Sequence, residues 1–190
     1  MEHANVTAAE ALEKLKEGNQ RYLDAKTNPG DISANIRKKT CDEGQLPYAI
    51  VITCSDSRVI PESIFSAGIG ELFVIRVAGN VMDKHQLGSV EYAAGHLGSP
   101  LVVVLGHSHC GAVGAALSSE PGGFVKSITD EIRKAIGDEK DETRACCLNV
   151  KRSVSMIEEN LQIPELEAQG GLKVCGAFYH IDSGKVEFLD

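Results

Sequence analysis

Cysteine, histidine, aspartate and arginine residues follow two of the predicted strands, at the points where those strands end. The first apolar run leads directly into Cys54, Asp56 and Arg58, and the third leads into His107 and Cys110. Because the carboxyl ends of parallel strands meet at one edge of a sheet, we expect these side chains to lie close together. Thiolate sulfur and imidazole nitrogen are ligands that zinc prefers in tetrahedral sites. The sequence therefore predicts a zinc centre at this edge.

Cys54, His107 and Cys110 are the predicted zinc ligands. Three protein ligands leave the fourth tetrahedral position open, which is typical of catalytic zinc. His107 and Cys110 are three residues apart, so both could face one point if the helix that follows begins slightly early. Two alternatives remain open at this stage. His109 could be a fourth ligand of a closed structural site, or the set could be ordinary packing at strand ends.

Other kinds of cysteine chemistry fit the six cysteines less well. Only three residues separate Cys54 from Arg58, which is too few for the backbone amides of a cysteine phosphatase to surround a phosphate. The Cys-x-x-Cys pair of a thioredoxin-like site does not occur in the sequence. Cys146 and Cys147 are adjacent in a predicted helix, and we interpret them as buried packing residues.

Asp56 and Arg58 are groups that a purely structural metal site would not need. Asp56 lies two residues from Cys54, so its carboxylate could accept a hydrogen bond from water at the metal or could bind the metal itself. A bidentate ion pair with Arg58 would hold the carboxylate off the metal and orient it. The alternative is a surface ion pair of little energetic consequence.

Strands and helices alternate along the chain from Tyr48 onward, which predicts a parallel sheet. Three apolar runs rich in Val and Ile are predicted to be buried strands, at residues 49–53, 72–77 and 101–105. Helices are predicted at residues 61–66, 89–97, 111–117 and 124–136, followed by one that carries Val150, Val154, Ile157 and Leu161 and is closed by Gly170 and Gly171. Strands at residues 174–181 and 185–189 form a predicted hairpin that adds an antiparallel edge strand.

The chain is predicted to be one domain of the α/β class, with a helical arm at residues 1–44 and a core at residues 45–190. The fold class is a mostly parallel central sheet with an antiparallel edge strand, flanking helices and this N-terminal arm. A capping-box spacing and a one-sided apolar pattern predict a helix at residues 7–26, which we expect to pack on a neighbouring subunit. The polar stretch from residue 30 to residue 44 is predicted to be irregular.

Composition excludes several classes of protein. The 190 residues carry a formal net charge of −8, and lysine and arginine are scattered rather than clustered, so no nucleic-acid partner is expected. No apolar run approaches the roughly 20 residues needed to span a membrane, and no targeting segment is evident, so no membrane partner is expected. These features predict a cytoplasmic protein in which the cysteines stay reduced.

The motifs resemble those of the β-class carbonic anhydrases. The resemblance rests on the runs Cys54-Ser-Asp56-Ser-Arg58 and His107-Ser-His-Cys110, and on the sequences at residues 71–80, 89–93 and 106–112. It implies a lyase, carbonate dehydratase, that hydrates carbon dioxide reversibly to bicarbonate and a proton with one Zn²⁺ per subunit. It also implies that Asp56 and Arg58 act as a catalytic pair.

The resemblance further implies a small substrate pocket for carbon dioxide and bicarbonate. Gln45 and the backbone amide of Gly111 would donate hydrogen bonds to bicarbonate. Phe73 and Tyr92 would form walls that are contributed across a dimer interface. Members of this class pair their subunits, so a homodimer or a dimer of dimers is expected.

Two other functions remain open from the sequence. The same zinc site could hydrolyse carbonyl sulfide or carbon disulfide, which are linear analogues of carbon dioxide, or the protein could be a non-catalytic zinc-binding scaffold. Two thiolates and a neutral imidazole cancel the charge of the metal, which makes it a weaker Lewis acid than a three-histidine zinc. We therefore expect activity to be favoured at alkaline pH.

Overall fold

A five-stranded sheet with the strand order β2-β1-β3-β4-β5 lies at the centre of the protein. The computed structural model describes residues 6–24, 27, 30–118, 120–160 and 171–189. The strands are β1 (Ala49–Thr53), β2 (Leu72–Arg76), β3 (Leu101–His107), β4 (Lys173–Tyr179) and β5 (Val186–Leu189). The first four are parallel to one another, and β5 is antiparallel to β4. The predicted fold class is therefore confirmed.

Helices cover both faces of this sheet. They are α1 (Ala8–Asp24), α2 (Ala34–Glu43), α3 (Pro61–Ile64), α4 (Lys84–Glu91), α5 (Gly111–Ser118), α6 (Val125–Ile136) and α7 (Glu142–Asn160), with a 3-10 turn at Ala78–Asn80 and a π-helical turn at Tyr92–His96. Successive strand residues face opposite sides, so α1 and α3 pack with Val51 and Val103, whereas α4 and α7 pack with Ile52 and Val104. No helix within the described ranges is long and apolar enough to cross a membrane.

The strand and helix predictions differ from the structure mainly at their ends. β1 and β3 are fully buried as predicted, but β2 is only half-buried because it lies at the edge of the sheet. α4 begins before its predicted start, at a capping box formed by Asp83 and Gln86 that the sequence reading missed. Some predicted positions lie outside the described residues. They are the end of the first helix at residue 26, and Leu161 and Gly170 of the predicted helix that corresponds to α7.

The segment predicted to be irregular before residue 44 contains α2. The side chain of Ser33 caps this helix by accepting a hydrogen bond of 3.3 Å from the backbone N–H of Ile36. None of the residues in α2 is buried. The prediction was wrong because a helix without a buried face leaves no apolar periodicity in the sequence.

α1 packs on the sheet of its own chain instead of standing apart as an arm. Leu15 is fully buried in the core. The side-chain amide of Asn19 donates hydrogen bonds to the carbonyl oxygens of Ile64 (3.2 Å) and Gly184 (2.9 Å) and accepts one from the N–H of Val186 (2.9 Å). This face of α1 is therefore occupied by contacts within its own chain, and packing of the rest of the helix on a neighbouring subunit stays a prediction.

Truncation of Leu15 should destabilise the whole protein if α1 and the core form one domain. We expect Leu15→Ala to lower the free energy of unfolding by about 2 to 5 kcal/mol, because it leaves a cavity under the sheet. Urea denaturation followed by far-UV circular dichroism, at several protein concentrations, measures this change. Lys16→Ala, on the exposed side of the same helix, is the matched control. A loss for Leu15→Ala no larger than that of the control would show that α1 is an independent arm.

Candidate metal centre

The two predicted loops meet at the carboxyl end of the sheet. Cys54 follows β1 directly, His107 is the last residue of β3, and Cys110 immediately precedes α5. β1 and β3 are neighbouring parallel strands, so their ends lie side by side. One ligand atom from each of these three residues lies within 4.8 Å of the other two, and all three residues are buried. The structure thus brings the predicted ligand set together.

A tight turn after His107, rather than an early start of the following helix, brings Cys110 back to the ligand group. His109 in this turn has a positive φ of 55°. The N–H of Ser108 donates to the carbonyl oxygen of Tyr179 (3.0 Å), and the hydroxyl of Ser108 accepts from the N–H of Ile181 (3.0 Å). The predicted reason for the convergence was therefore wrong, although the convergence itself is present.

The imidazole of His107 is oriented as a metal ligand would be. Its Nδ1 lies 2.9 Å from the carbonyl oxygen of Ser108, which makes Nδ1 the donor and leaves Nε2 with a free lone pair. Nε2 is buried and has no hydrogen-bond partner among the residues that the structure describes. A buried nitrogen of this kind costs free energy unless something binds it. A metal ion between the two thiols would satisfy it.

The hydrogen bonds around the two sulfur atoms favour negative charge on Cys54. The thiol of Cys110 donates a hydrogen bond to Cys54, which lowers the pKa of Cys54 and raises that of Cys110. Backbone N–H groups of Gly79 (3.3 Å) and Asp56 also point at the Cys54 sulfur, and that of Val113 points at the Cys110 sulfur. A divalent cation that binds both sulfur atoms would displace the thiol proton between them. Two thiolates and one imidazole are a ligand set that fits Zn²⁺.

His109 is not part of this ligand group. Its side chain is 75% exposed, and its Nδ1 lies 3.7 Å from a carboxylate oxygen of Glu142. The alternative of a closed structural site with His109 as fourth ligand therefore has no support in the geometry.

Asp56 and Arg58 form a bidentate ion pair beside the ligand group. Arg58 Nε donates to Asp56 Oδ1 (2.9 Å), and Arg58 Nη2 donates to Asp56 Oδ2 (2.7 Å). The hydrogen bonds from Arg58 hold the pKa of the Asp56 carboxyl well below its usual range. The side chain of Asp56 is 17% exposed and that of Arg58 is 49% exposed, so the carboxylate is the more shielded partner of the pair. Arg58 Nη2 also donates to the carbonyl oxygen of His109 (3.0 Å), which ties the two loops together.

Arg76 is a residue at this site that the sequence analysis did not identify. It ends β2, and its guanidinium donates to the carbonyl oxygens of Cys54 (Nε, 3.1 Å) and Asp56 (Nη2, 2.7 Å). It therefore fixes the backbone of the loop whose side chains form the centre. Arg76 lies in the motif at residues 71–80. Nothing in that motif shows that its hydrogen-bond partners are backbone atoms of the loop after the neighbouring strand β1.

The predicted substrate residues lie at two different ends of the sheet. Gly111 follows Cys110 and is at the metal centre. Gln45 precedes β1, and together with Tyr92 it lines a cavity of about 810 Å³ at the amino end of the strands. Phe73 is near the start of β2, with its ring centroid 6.2 Å from that of Tyr92. One chain therefore does not bring Gln45 and Tyr92 to its own metal centre.

The remaining cysteines lie outside the ligand group. Cys146 is buried in the cluster that contains Cys54 and Cys110, as predicted for a packing residue, but Cys147 is only half-buried. Burial raises the pKa of the Cys146 thiol to about 12.

The comparison with known protein families agrees with this geometry. A family model described as carbonic anhydrase matches residues 49–186, which include every residue of the ligand group. The chain belongs to the β-carbonic anhydrase family. A carbonic anhydrase of Mycolicibacterium smegmatis is 38% identical over 197 residues, which cover 96% of this chain and 94% of that protein. Carbonic anhydrase 2 of Mycobacterium tuberculosis is 35% identical over 202 residues, which cover 98% and 95%.

Solved structures of the family have the same fold as this β-carbonic anhydrase. The β-carbonic anhydrase CafA of Aspergillus fumigatus matches with a TM-score of 0.77 and 28% identity over 96% of this chain and 90% of that one. One of two tetrameric β-carbonic anhydrases from Sordaria macrospora matches with a TM-score of 0.70 and 31% identity over 82% of this chain and 91% of that one.

Loss of one sulfur ligand should abolish metal binding without affecting the other cysteines. We expect the purified protein to hold about one zinc ion per chain and Cys54→Ser to hold almost none, because a hydroxyl is a poor zinc ligand at neutral pH. Inductively coupled plasma mass spectrometry after gel filtration gives the ratio. Cys41→Ser, at an exposed cysteine in α2, is the control and should keep its zinc. Equal zinc contents in both variants would remove Cys54 from the ligand set.

Proposed function

We propose that this β-carbonic anhydrase catalyses the reversible hydration of carbon dioxide to bicarbonate and a proton, with one Zn²⁺ per subunit held by Cys54, His107 and Cys110. The observation that carries this proposal is the Asp56 carboxylate, which Arg58 holds by two side-chain hydrogen bonds next to a buried set of three potential metal ligands. A structural zinc site would not need this pair. The relatives named carbonic anhydrase support the same reaction.

The residues of the chain prepare the site for attack by water. Zinc, when bound, supplies a Lewis acid that makes hydroxide available near neutral to alkaline pH for attack on carbon dioxide. Asp56 stays ionised and accepts a hydrogen bond that orients the reacting water. Its Oδ1 accepts two hydrogen bonds from Arg58, one of them from the backbone, whereas Oδ2 accepts one. Oδ2 therefore has acceptor capacity left, and we assign the contact with water to it.

The alternative functions have less support. Carbonyl sulfide and carbon disulfide would use the same site, but the family and the named relatives point to carbon dioxide. A scaffold role would leave the ion pair of Asp56 and Arg58 without a purpose.

We further propose that the active protein is a homodimer or a dimer of dimers. Gln45 and Tyr92 lie at the end of the sheet opposite to the metal centre, so a pocket that contains both sets needs two chains. Gln45 of the partner subunit would then donate to bicarbonate at the centre built from Cys54. The half-buried edge strand β2 and the tetrameric relative are consistent with such an assembly. A cytoplasmic location fits the six free thiols, which a reducing compartment preserves.

Stopped-flow carbon dioxide hydration tests the proposed reaction. We expect zinc-replete protein to be active at mildly alkaline pH and Cys54→Ser to be inactive, because the variant lacks a ligand. Carbonyl sulfide and carbon disulfide are assayed in parallel by release of hydrogen sulfide. Activity on the sulfur compounds alone would make the protein a hydrolase of those substrates. Full zinc content with no turnover of any of the three would leave only the scaffold role.

Arg58→Ala should separate metal binding from catalysis. We expect kcat/KM for carbon dioxide to fall about 10- to 100-fold, because the Asp56 carboxylate is no longer held in place. Zinc content should stay near that of the unsubstituted protein. Arg58→Lys should recover only part of the activity, since an ammonium group cannot make the bidentate contact. Unchanged kinetics in Arg58→Ala would show that the pair is a surface contact without a role.

Complementation between two inactive chains tests the shared pocket. We expect Gln45→Ala and Cys54→Ser to be weakly active or inactive alone. A mixed dimer combines the intact metal centre of one chain with Gln45 of the partner subunit, so co-expression should restore about a quarter of full activity in a random assortment. The control is a chain that carries both substitutions and is expressed alone, because its dimers contain no intact site. If the mixture recovers no activity, Gln45 either acts within its own chain or has no role in catalysis.

A further inference from the structure

The short turn at Ala78–Asn80 contacts the metal centre directly. The backbone N–H of Gly79 donates a hydrogen bond of 3.3 Å to the sulfur of Cys54. Gly79 and Asn80 have positive φ angles of 68° and 44°. A left-handed asparagine next to a left-handed glycine is a sparsely populated arrangement, and it persists only where the surrounding structure holds it.

Two buried polar side chains of α7 hold this turn. The side-chain amide of Asn149 donates to the carbonyl oxygen of Gly79 (2.7 Å), and the hydroxyl of Ser153 donates to that of Asn80 (2.9 Å). Both side chains belong to residues that are 2% exposed. They are four residues apart, so they lie on the same face of α7. Consecutive carbonyl oxygens of the turn are therefore fixed by one helix.

Close packing on another side of the turn requires glycine at position 79. A Cβ atom there would lie 2.8 Å from Ile132 Cδ1 and 3.0 Å from Ala112 Cβ. These contacts, together with the positive φ, exclude larger residues. Glycine, however, reaches negative and positive φ almost equally well, and a change of φ would turn its N–H away from the sulfur. Because the packing requires glycine at position 79, another contact must restrain the backbone of that residue.

We propose that Asn149, assisted by Ser153, is a positioning residue of the metal centre, which keeps the N–H of Gly79 directed at the Cys54 sulfur. The proposal rests on the proposed zinc site. A hydrogen bond to a ligand sulfur withdraws electron density from it and fixes its direction, so this contact adjusts both the affinity of the site for metal and the donor strength of the thiolate.

A purely structural role for Asn149 makes a different prediction. Buried carbonyl oxygens need hydrogen-bond partners wherever they occur, and Asn149 would then contribute only to folding. Its loss would lower stability and leave the metal–sulfur bond unchanged. The properties of bound metal distinguish the two roles, and they can be measured without any assay of carbon dioxide hydration.

The test is Asn149→Leu, which keeps the branched shape and the number of side-chain heavy atoms but has no donor. Zinc affinity is measured by competition with a chromophoric chelator, and the sulfur-to-cobalt charge-transfer absorption is recorded on Co²⁺-loaded protein. We expect the zinc Kd to rise about 10-fold or more, because the Cys54 sulfur is no longer held in position and its thiol is harder to deprotonate. The cobalt band should move to longer wavelength, because a sulfur without the hydrogen bond is richer in electrons. Ser153→Ala should change both in the same direction by a smaller amount.

Ile157→Ala is the matched control on the same helix. Ile157 is fully buried in an apolar cluster that contains no residue of the turn, so its loss should lower the melting temperature without changing zinc Kd or the cobalt band. Asn149→Ser, which is too short to reach Gly79, is measured alongside in case the leucine variant does not fold. The proposal is overturned if the position 149 variants keep the unsubstituted Kd and band, or if Ile157→Ala changes them equally. Failure of the unsubstituted protein to bind either metal would instead refute the zinc site itself.

Discussion

The whole site depends on placing two sulfur atoms and an imidazole nitrogen within 4.8 Å of one another in a buried volume. Such a group is costly, because burial disfavours charge on sulfur and two neighbouring thiolates repel each other. The chain offsets this cost with backbone N–H groups aimed at both sulfur atoms and leaves room for a divalent cation. The turn at Ala78–Asn80 and the ion pair of Asp56 and Arg58 are best understood as supports of this group.

The parallel sheet does most of the positioning. β1 and β3 are hydrogen-bonded neighbours, so a ligand that follows the first strand and one that ends the third must lie side by side. The edge strand β2 adds Arg76, which fixes the loop after β1, and β4 receives the turn after His107. Each strand of the parallel part therefore contributes one restraint to the same edge of the sheet, which is where open α/β folds place their sites.

The sequence predicted those features whose cause is local or periodic. The bounds of β1 and the ligand residues followed from short apolar runs and the residue types after them. α2 could not be predicted, since a helix without a buried residue has no apolar pattern. The supports from Asn19, Arg76 and Asn149 were also missed, because each bonds backbone atoms that are distant along the chain. Single polar residues in helices and at strand ends carry no sign of a distant partner.

The proposed pocket residues lie at opposite ends of the sheet, so in the proposed dimer catalysis depends on assembly. Each chain carries the group of Cys54, His107 and Cys110 at the carboxyl end of its strands and, at the amino end, the cavity lined by Gln45 and Tyr92. Neither end alone has both a metal ligand set and the proposed wall of the substrate pocket. If the chains pair so that these ends meet, each dimer has two complete sites, and a change at Gln45 affects the metal centre of the partner subunit. Folding of one chain then builds the metal site, whereas association of two chains builds the substrate site.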